Sequence, residues 1–388
     1  MALVDDIRDY VNRSHAYAWL NCTGKAPDEP ALISSLLSQE MYLGLRDALR
    51  KHLPTTTDVS VRGIFTHQTP QVQMDGETQS VEIADLMLVH QHFNRPGHSL
   101  PYGNALLFQA KRTAARSTGS VNSGTQRLQF ELYQSWKPFI GTSRLPPAPP
   151  GFSRWDFRHR NVVSQAKAVQ GAEYLTVYDM QAYSVAPASP QWMASLLDGP
   201  AHSSLVTAYS DQCTWSAGGT PDPYATAADG VDCPLDFGRV FAGFLNGTHG
   251  RSFRPGVIDG MNHWSVFVNT MLLMSAAASS RYVYNSRNQR VVSRVRNREV
   301  LQLAAQTAMM HTLEAELDEF ESQHRLMTGP TMPIPVFRRL YRGLQQEGSR
   351  PHRLFNSRRL VSEKGDGGEH IPILIVTTVG GDLPLFGG

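Results

Sequence analysis

Apolar positions recur at helical spacing from Pro30 to Leu49, with Leu32, Leu36, Leu43 and Leu45 among them, and the pattern stops before Pro54. The spacing predicts an amphipathic helix that carries Glu40. Three strand-like stretches follow, Val59 to Val72, Val81 to His92 and Ala105 to Lys111, separated by turn-rich segments at Asp75-Gly76 and at Asn94 to His98. They predict a β-meander. A polar loop from Thr113 to Thr125 leads into Gln126 to Trp136, where Leu128, Leu132 and Trp136 recur at helical spacing before Pro138. The proline-rich stretch Arg144 to Pro150 reads as a stiff connection, and Glu173 to Tyr178 has the β-branched and aromatic content of a strand.

Beyond about residue 186 the pattern weakens. Ala201 to Asp236 is rich in Gly, Pro, Ser and Thr and reads as an insertion or a set of loops. Helical spacing resumes at Phe237 to Leu245, Trp264 to Ala278, Glu299 to His324 and Val336 to Gln346, and an apolar strand-like run, Ile371 to Val379, comes last. The expected class is α/β: a mixed sheet flanked by helices over residues 1–185, followed by a mostly helical region over 186–388.

Composition narrows this little. A chain of 388 residues with 41% hydrophobic content can bury a large core. The net charge of +2, from 36 basic and 34 acidic residues, announces no nucleic-acid binder by itself, so any basic surface has to come from clustering. Cys22, Cys213 and Cys233 are odd in number and far apart, which signals neither a disulfide framework nor a zinc ribbon and fits a reducing cytoplasm. The opening Met1-Ala-Leu-Val-Asp-Asp-Ile-Arg places acids where a signal peptide carries positive charge, so export is not expected. The longest apolar run, Val266 to Ala278, is interrupted by Asn269 and Thr270 and falls short of the ~20 residues that a spanning helix needs. No membrane partner is expected.

One acid stands out. In Val81-Glu-Ile-Ala-Asp-Leu-Met-Leu-Val, Asp85 lies inside an apolar strand, where an unpaired carboxylate is costly to bury. In Ala105-Leu-Leu-Phe-Gln-Ala-Lys, Gln109 and Lys111 alternate onto one face at the end of the next strand. Two neighbouring strands thus bring an acid, an amide and an ammonium together. The bland alternative is a buried salt bridge between Asp85 and Lys111 in a catalytically inactive sheet.

The order of helix, strand, Asp85 strand, Gln109-Ala110-Lys111 strand, helix and strand resembles the PD-(D/E)xK, or restriction-endonuclease-like, nucleases, in the subset where glutamine replaces the second acid. The resemblance covers roughly residues 30 to 182. It implies Asp85 as a metal ligand, Gln109 beside the metal and Lys111 near the attacking water and scissile phosphate, with Glu40 as the acid that some members supply from the first helix. It also implies Mg²⁺, with Mn²⁺ as the alternative, held by oxygens of Asp85, Glu40 and the Ala110 carbonyl; a hard cation of this kind generates the nucleophile and neutralises charge on the phosphate. A neutral amide at position 109 argues for one strong metal site. The expected activity is cleavage of phosphodiester bonds in DNA, with RNA left open, in a cytoplasmic protein similar to prokaryotic restriction, repair and antiviral defence effectors. The runner-up is a binding or scaffold protein that keeps the fold without cutting.

Several side features complete the reading. His90 and His92 share a strand face opposite Asp85 and read as a solvated strand end rather than a metal site. Gln126, Gln129 and Tyr133 share one face of the helix after the catalytic strands and are candidate phosphate contacts. Arg287, Arg290, Arg294 and Arg296 lie in a stretch without acids until Glu299 and are the strongest nucleic-acid candidates, and a second arginine-rich run spans Arg338 to Arg359. A homo-oligomer is compatible with all of this.

Overall fold

The structure is a computed structural model, and it describes residues 3–21, 26–37, 39–64, 70–94, 102–143, 145–158, 171–179, 212–219, 224–256, 261–279 and 371–380. Three helices open the chain: α1 (Leu3–Asn21), α2 (Glu29–Leu36) and α3 (Gln39–His52). The strands β1 (Asp58–Ile64), β2 (Gln71–Met74), β3 (Val81–Glu82), β4 (Leu86–Asn94), β5 (Tyr102–Thr113) and β6 (Thr118–Gly119) follow. Then come α4 (Gly124–Ser135), β7 (Phe139–Ser143), β8 (Ala172–Tyr178), β9 (Trp215–Gly219), β10 (Val231–Asp232), β11 (Leu235–Asp236), α5 (Phe237–Leu245), β12 (Arg251–Phe253), α6 (His263–Ser279) and β13 (Ile373–Gly380).

The main sheet runs β1-β13-β4-β5-β8-β9-β11, with β12 added beside β5. β4 and β5 are antiparallel, with Leu86 opposite Phe108. β5 and β8 are parallel, with Gln109 opposite Tyr174, and α4 lies in the connection between them. This mixed sheet has helices on both faces. On one face Leu86, Leu88, Phe108, Leu175 and Val177 pack with α1, α2, α3 and α5 through Val11, Leu32, Leu49 and Phe241. On the other, Met87, Val89, Leu107 and Tyr174 pack with α4 and α6 through Phe130, Tyr133, Trp264 and Phe267. Burial on both faces explains why β4 and β5 read as continuous apolar runs rather than alternating ones.

Three expectations change. The helix expected from Pro30 to Leu49 is two: α2 ends at a C-cap on Leu37, and Glu40 belongs to α3. The meander does not form. The stretch Val59 to Val72 supplies β1 to the main sheet and β2 to a separate three-stranded sheet, β3-β2-β7, and β13 stands between β1 and β4. β13 is antiparallel to β1 and parallel to β4, with Leu374 opposite Leu88. The division at residue 185 therefore does not follow the sheet: β9, β11, β12, β13, α5 and α6 all come from beyond it and complete the same two cores. The helical patterns at 299–324 and 336–346 lie outside the described residues. No helix among the described residues is long and apolar enough to cross a membrane.

β13 also corrects the histidines. His90 and His92 are buried, and His90 Nε2 and His92 Nδ1 meet the Thr378 hydroxyl, at 3.0 and 2.8 Å. A strand nearly three hundred positions away covers what reads locally as a strand end.

Two outcomes follow. A chain ending at residue 370 is expected to lose cooperative unfolding altogether, because β4 loses a whole ladder of partners on one side; a truncated protein with native circular dichroism and a sharp melt would contradict this. The second concerns pH. Burial pushes His90 down to about 3 and His15 down to about 4, from an ordinary value of 6.5. Both rings are neutral in the fold and take up protons on unfolding, so the stability they contribute is present above pH 6.5 and drains away as pH falls towards 4 and 3. Urea midpoints measured from pH 7 to pH 4 should decline, and His90→Gln should make the decline shallower; a flat profile would count against it.

Candidate active site

The site begins where the pairing of β4 and β5 ends. Leu86 opposite Phe108 is the last paired position, and the chain bends through residues 83–85. The Asp85 main-chain N–H still donates to the Phe108 carbonyl at 2.8 Å. One step further along β5, the Ala110 N–H donates to Asp85 Oδ2, also at 2.8 Å. The carboxylate thus stands in for the main-chain acceptor that a longer β4 would have offered. Gln109 Nε2 donates to the same oxygen. In a strand the N–H and C=O of one residue leave on the same edge, so the Ala110 carbonyl shares this edge with Asp85.

Gln109 is 2% exposed and Lys111 9%. The stem of Lys111 is held by Gly119 of β6, where an added Cβ would come within 3.2 Å of Lys111 Cβ and 3.3 Å of Val231. Among the described residues Lys111 makes no ion pair within 4.0 Å. Its charge nevertheless favours the ionised form of Asp85.

A second carboxyl meets Asp85, that of Glu29. The side chain of Glu40 lies outside the described set. Glu29 occupies the first turn of α2, behind the N-cap Asp28, whose side chain accepts from the Ala31 N–H at 3.1 Å. Arg112, on the opposite face of β5 from Lys111, fastens this helix start: it donates to the Pro27 carbonyl at 2.6 Å and pairs with Asp179 at 3.0 Å. Burial pushes Glu29 well above the usual carboxylate range, with the Asp85 charge adding to it and Lys111 opposing it. Burial raises Asp85 too, offset by Lys111, the Ala110 N–H and hydrogen bonds from Glu29 and Gln109. The two carboxyls are hydrogen-bonded to each other, which needs one proton between them.

The helix α4 braces the bend. Tyr133 is 1% exposed, and its hydroxyl donates to the Ile83 carbonyl at 2.8 Å. Gln129 reaches the Glu82 carbonyl at 3.4 Å. These two side chains hold the segment that carries Asp85. Gln126 is half-buried and its amide oxygen accepts from Ser123 at 3.3 Å. The end of α4 is pinned by Trp136, left-handed at φ 45°, fully packed and stacked on Tyr133 with ring centroids 5.5 Å apart. Arg287, Arg290, Arg294 and Arg296, like the second arginine run, lie outside the described residues.

Among the described residues no group of three or more His, Cys, Asp or Glu side chains gathers as a metal site. The donors present are two carboxylates, an amide and a main-chain carbonyl. An all-oxygen set of this kind suits a hard cation such as Mg²⁺. Gln109 presents its Nε2 to Asp85, while its Oε1 is buried and has no hydrogen-bond partner. One residue escaped the sequence reading: Glu29, whose place beside Asp28 and Pro30 looks like an ordinary acidic helix start. No family model, curated protein or solved structure matches the chain.

Two carboxyls buried against each other are held at the expense of stability. Asp85→Asn removes the charge and keeps an oxygen for the Ala110 N–H, so the melting temperature should rise by a few degrees, for roughly 1 kcal/mol. A comparable fall would identify Asp85 as the net stabilising partner of Lys111 in a structural ion pair.

Proposed function

We propose that the chain is a divalent-cation-dependent nuclease of the restriction-endonuclease-like kind that hydrolyses phosphodiester bonds in DNA. The observation that carries this reading is the meeting of two carboxyls, Asp85 and Glu29, with Gln109 and Lys111 at the point where β4 and β5 part. A purely structural sheet gains nothing from forcing two acids together beside one lysine. The antiparallel β4-β5 pair, followed through α4 by the parallel strand β8, supports the same fold assignment.

Asp85, Glu29, the Gln109 amide oxygen and the Ala110 carbonyl are the groups that would hold Mg²⁺. Bound there, the cation supplies Lewis acidity towards the phosphate and the attacking water. Lys111 places a point charge beside that water and the phosphate oxygens, where negative charge grows in the transition state. The bracing by Tyr133 and Gln129 keeps Asp85 in register with β5, so that the carboxylate need not reorganise as charge develops. The arginine stretches around Arg287 to Arg296 and Arg338 to Arg359 are the proposed substrate-holding segments.

Purified protein should nick or cut plasmid DNA with Mg²⁺ and not with chelator. Lys111→Ala should lower the cleavage rate by on the order of 10²- to 10³-fold, since it removes one transition-state charge. DNA affinity measured in chelator should change little. Cleavage at the wild-type rate by Lys111→Ala would place the chemistry elsewhere, and cleavage of RNA alone would replace DNA as the substrate.

A further inference from the structure

We propose that Tyr174 is a positioning residue of this site: its hydroxyl hydrogen-bonds to Gln109 through one water and sets which end of the amide faces Asp85. The inference deepens the nuclease reading and rests on it. Gln109 and Tyr174 stand opposite each other on the parallel strands β5 and β8, so both side chains leave the sheet on the same face. Tyr174 is 0% exposed, yet its hydroxyl has no hydrogen-bond partner. Gln109 Oε1 is likewise buried and unpartnered.

A buried polar group left unpaired costs about 1–3 kcal/mol. Two such groups of complementary kind, a hydroxyl and an amide oxygen, on facing positions are both satisfied by a single bridging water. The ring of Tyr174 has little freedom to turn elsewhere: it packs against Tyr133 at 5.7 Å and Phe130 at 6.4 Å between centroids. The other tyrosine is already committed, with its hydroxyl on the Ile83 carbonyl.

The pairing has a consequence for Gln109. Its Nε2 now donates to Asp85, which turns Oε1 away from the carboxylates. To serve as a ligand beside Asp85 the amide turns over, and its NH₂ then takes the place of Oε1. A tyrosine hydroxyl both donates and accepts, so through the same water it serves either orientation. Phenylalanine at this position would pack equally well and serve neither.

The test uses the full chain and Mn²⁺ as the probe, with affinity read by electron paramagnetic resonance and stability by thermal melting without metal. Tyr174→Phe should weaken Mn²⁺ binding on the order of tenfold. The metal-free melting temperature should stay close to that of the wild type. A carboxylate offers an oxygen from either side, so in a Gln109→Glu background the same Tyr174→Phe change should leave Mn²⁺ affinity unaltered. Equal Mn²⁺ affinity of wild type and Tyr174→Phe overturns the role of Tyr174 and leaves the cation site standing. A loss of the same size in the Gln109→Glu background overturns it too, because the effect is then one of packing. Absence of Mn²⁺ binding by the wild type removes both readings.

Discussion

The bond from the Ala110 N–H to the Asp85 carboxylate is the contact on which the rest of the site depends. A strand edge carries main-chain groups that must be paired when buried. Here β4 begins only at Leu86, after the bend through residues 83–85, and β5 continues to Thr113. The exposed edge of β5 needs an acceptor at Ala110, and a side chain supplies it. That requirement fixes the carboxylate in place before any substrate or cation is considered. It also determines which side chains meet it, because Gln109 and Lys111 flank the same position.

The neighbourhood is arranged to keep the bend where it is. Tyr133 and Gln129 bind the carbonyls of Ile83 and Glu82 from one side, and Arg112 draws the start of α2 in from the other. The site lies at the junction of the two cores rather than in a surface loop. Each core contributes a helix to it, α4 from one and α2 from the other. Side chains whose rotamers are fixed by packing on rigid elements are what a reaction with a developing charge needs.

Much of this could be read from local pattern and some of it could not. Asp85 was visible because a single acid in an apolar run has to be explained, and Gln109 with Lys111 because alternation puts them on one face. The strands β5 and β8 and the helices α4, α5 and α6 follow from periodicity close to their observed limits, whereas the stretch from Val81 to His92 divides into β3 and β4 at the bend that carries Asp85. What escaped depends on distant partners. Nothing near His90 announces that Thr378 will cover it, and nothing in the run from 371 to 379 states that it enters between β1 and β4. Glu29 escaped for a different reason. The helical spacing runs on across Leu37, so a break there is invisible to it, and Glu40 looked like the acid of the first helix when α2 ends before it.

The meeting of Glu29 with Asp85 also bears on the glutamine. Asp85 and Glu29 already share one proton beside a single lysine. A third carboxyl at position 109 would meet the negative charge that this pair carries, and such a contact at ~4 Å costs on the order of 4 kcal/mol at an effective dielectric of ~20. An amide keeps the oxygen and drops the charge. It also brings an NH₂ group that offsets part of the Asp85 charge when no cation is present. A carboxylate at 109 would repel Asp85 in that state instead. An amide at position 109 thus lets the carboxyls of Asp85 and Glu29 stay together beside one lysine.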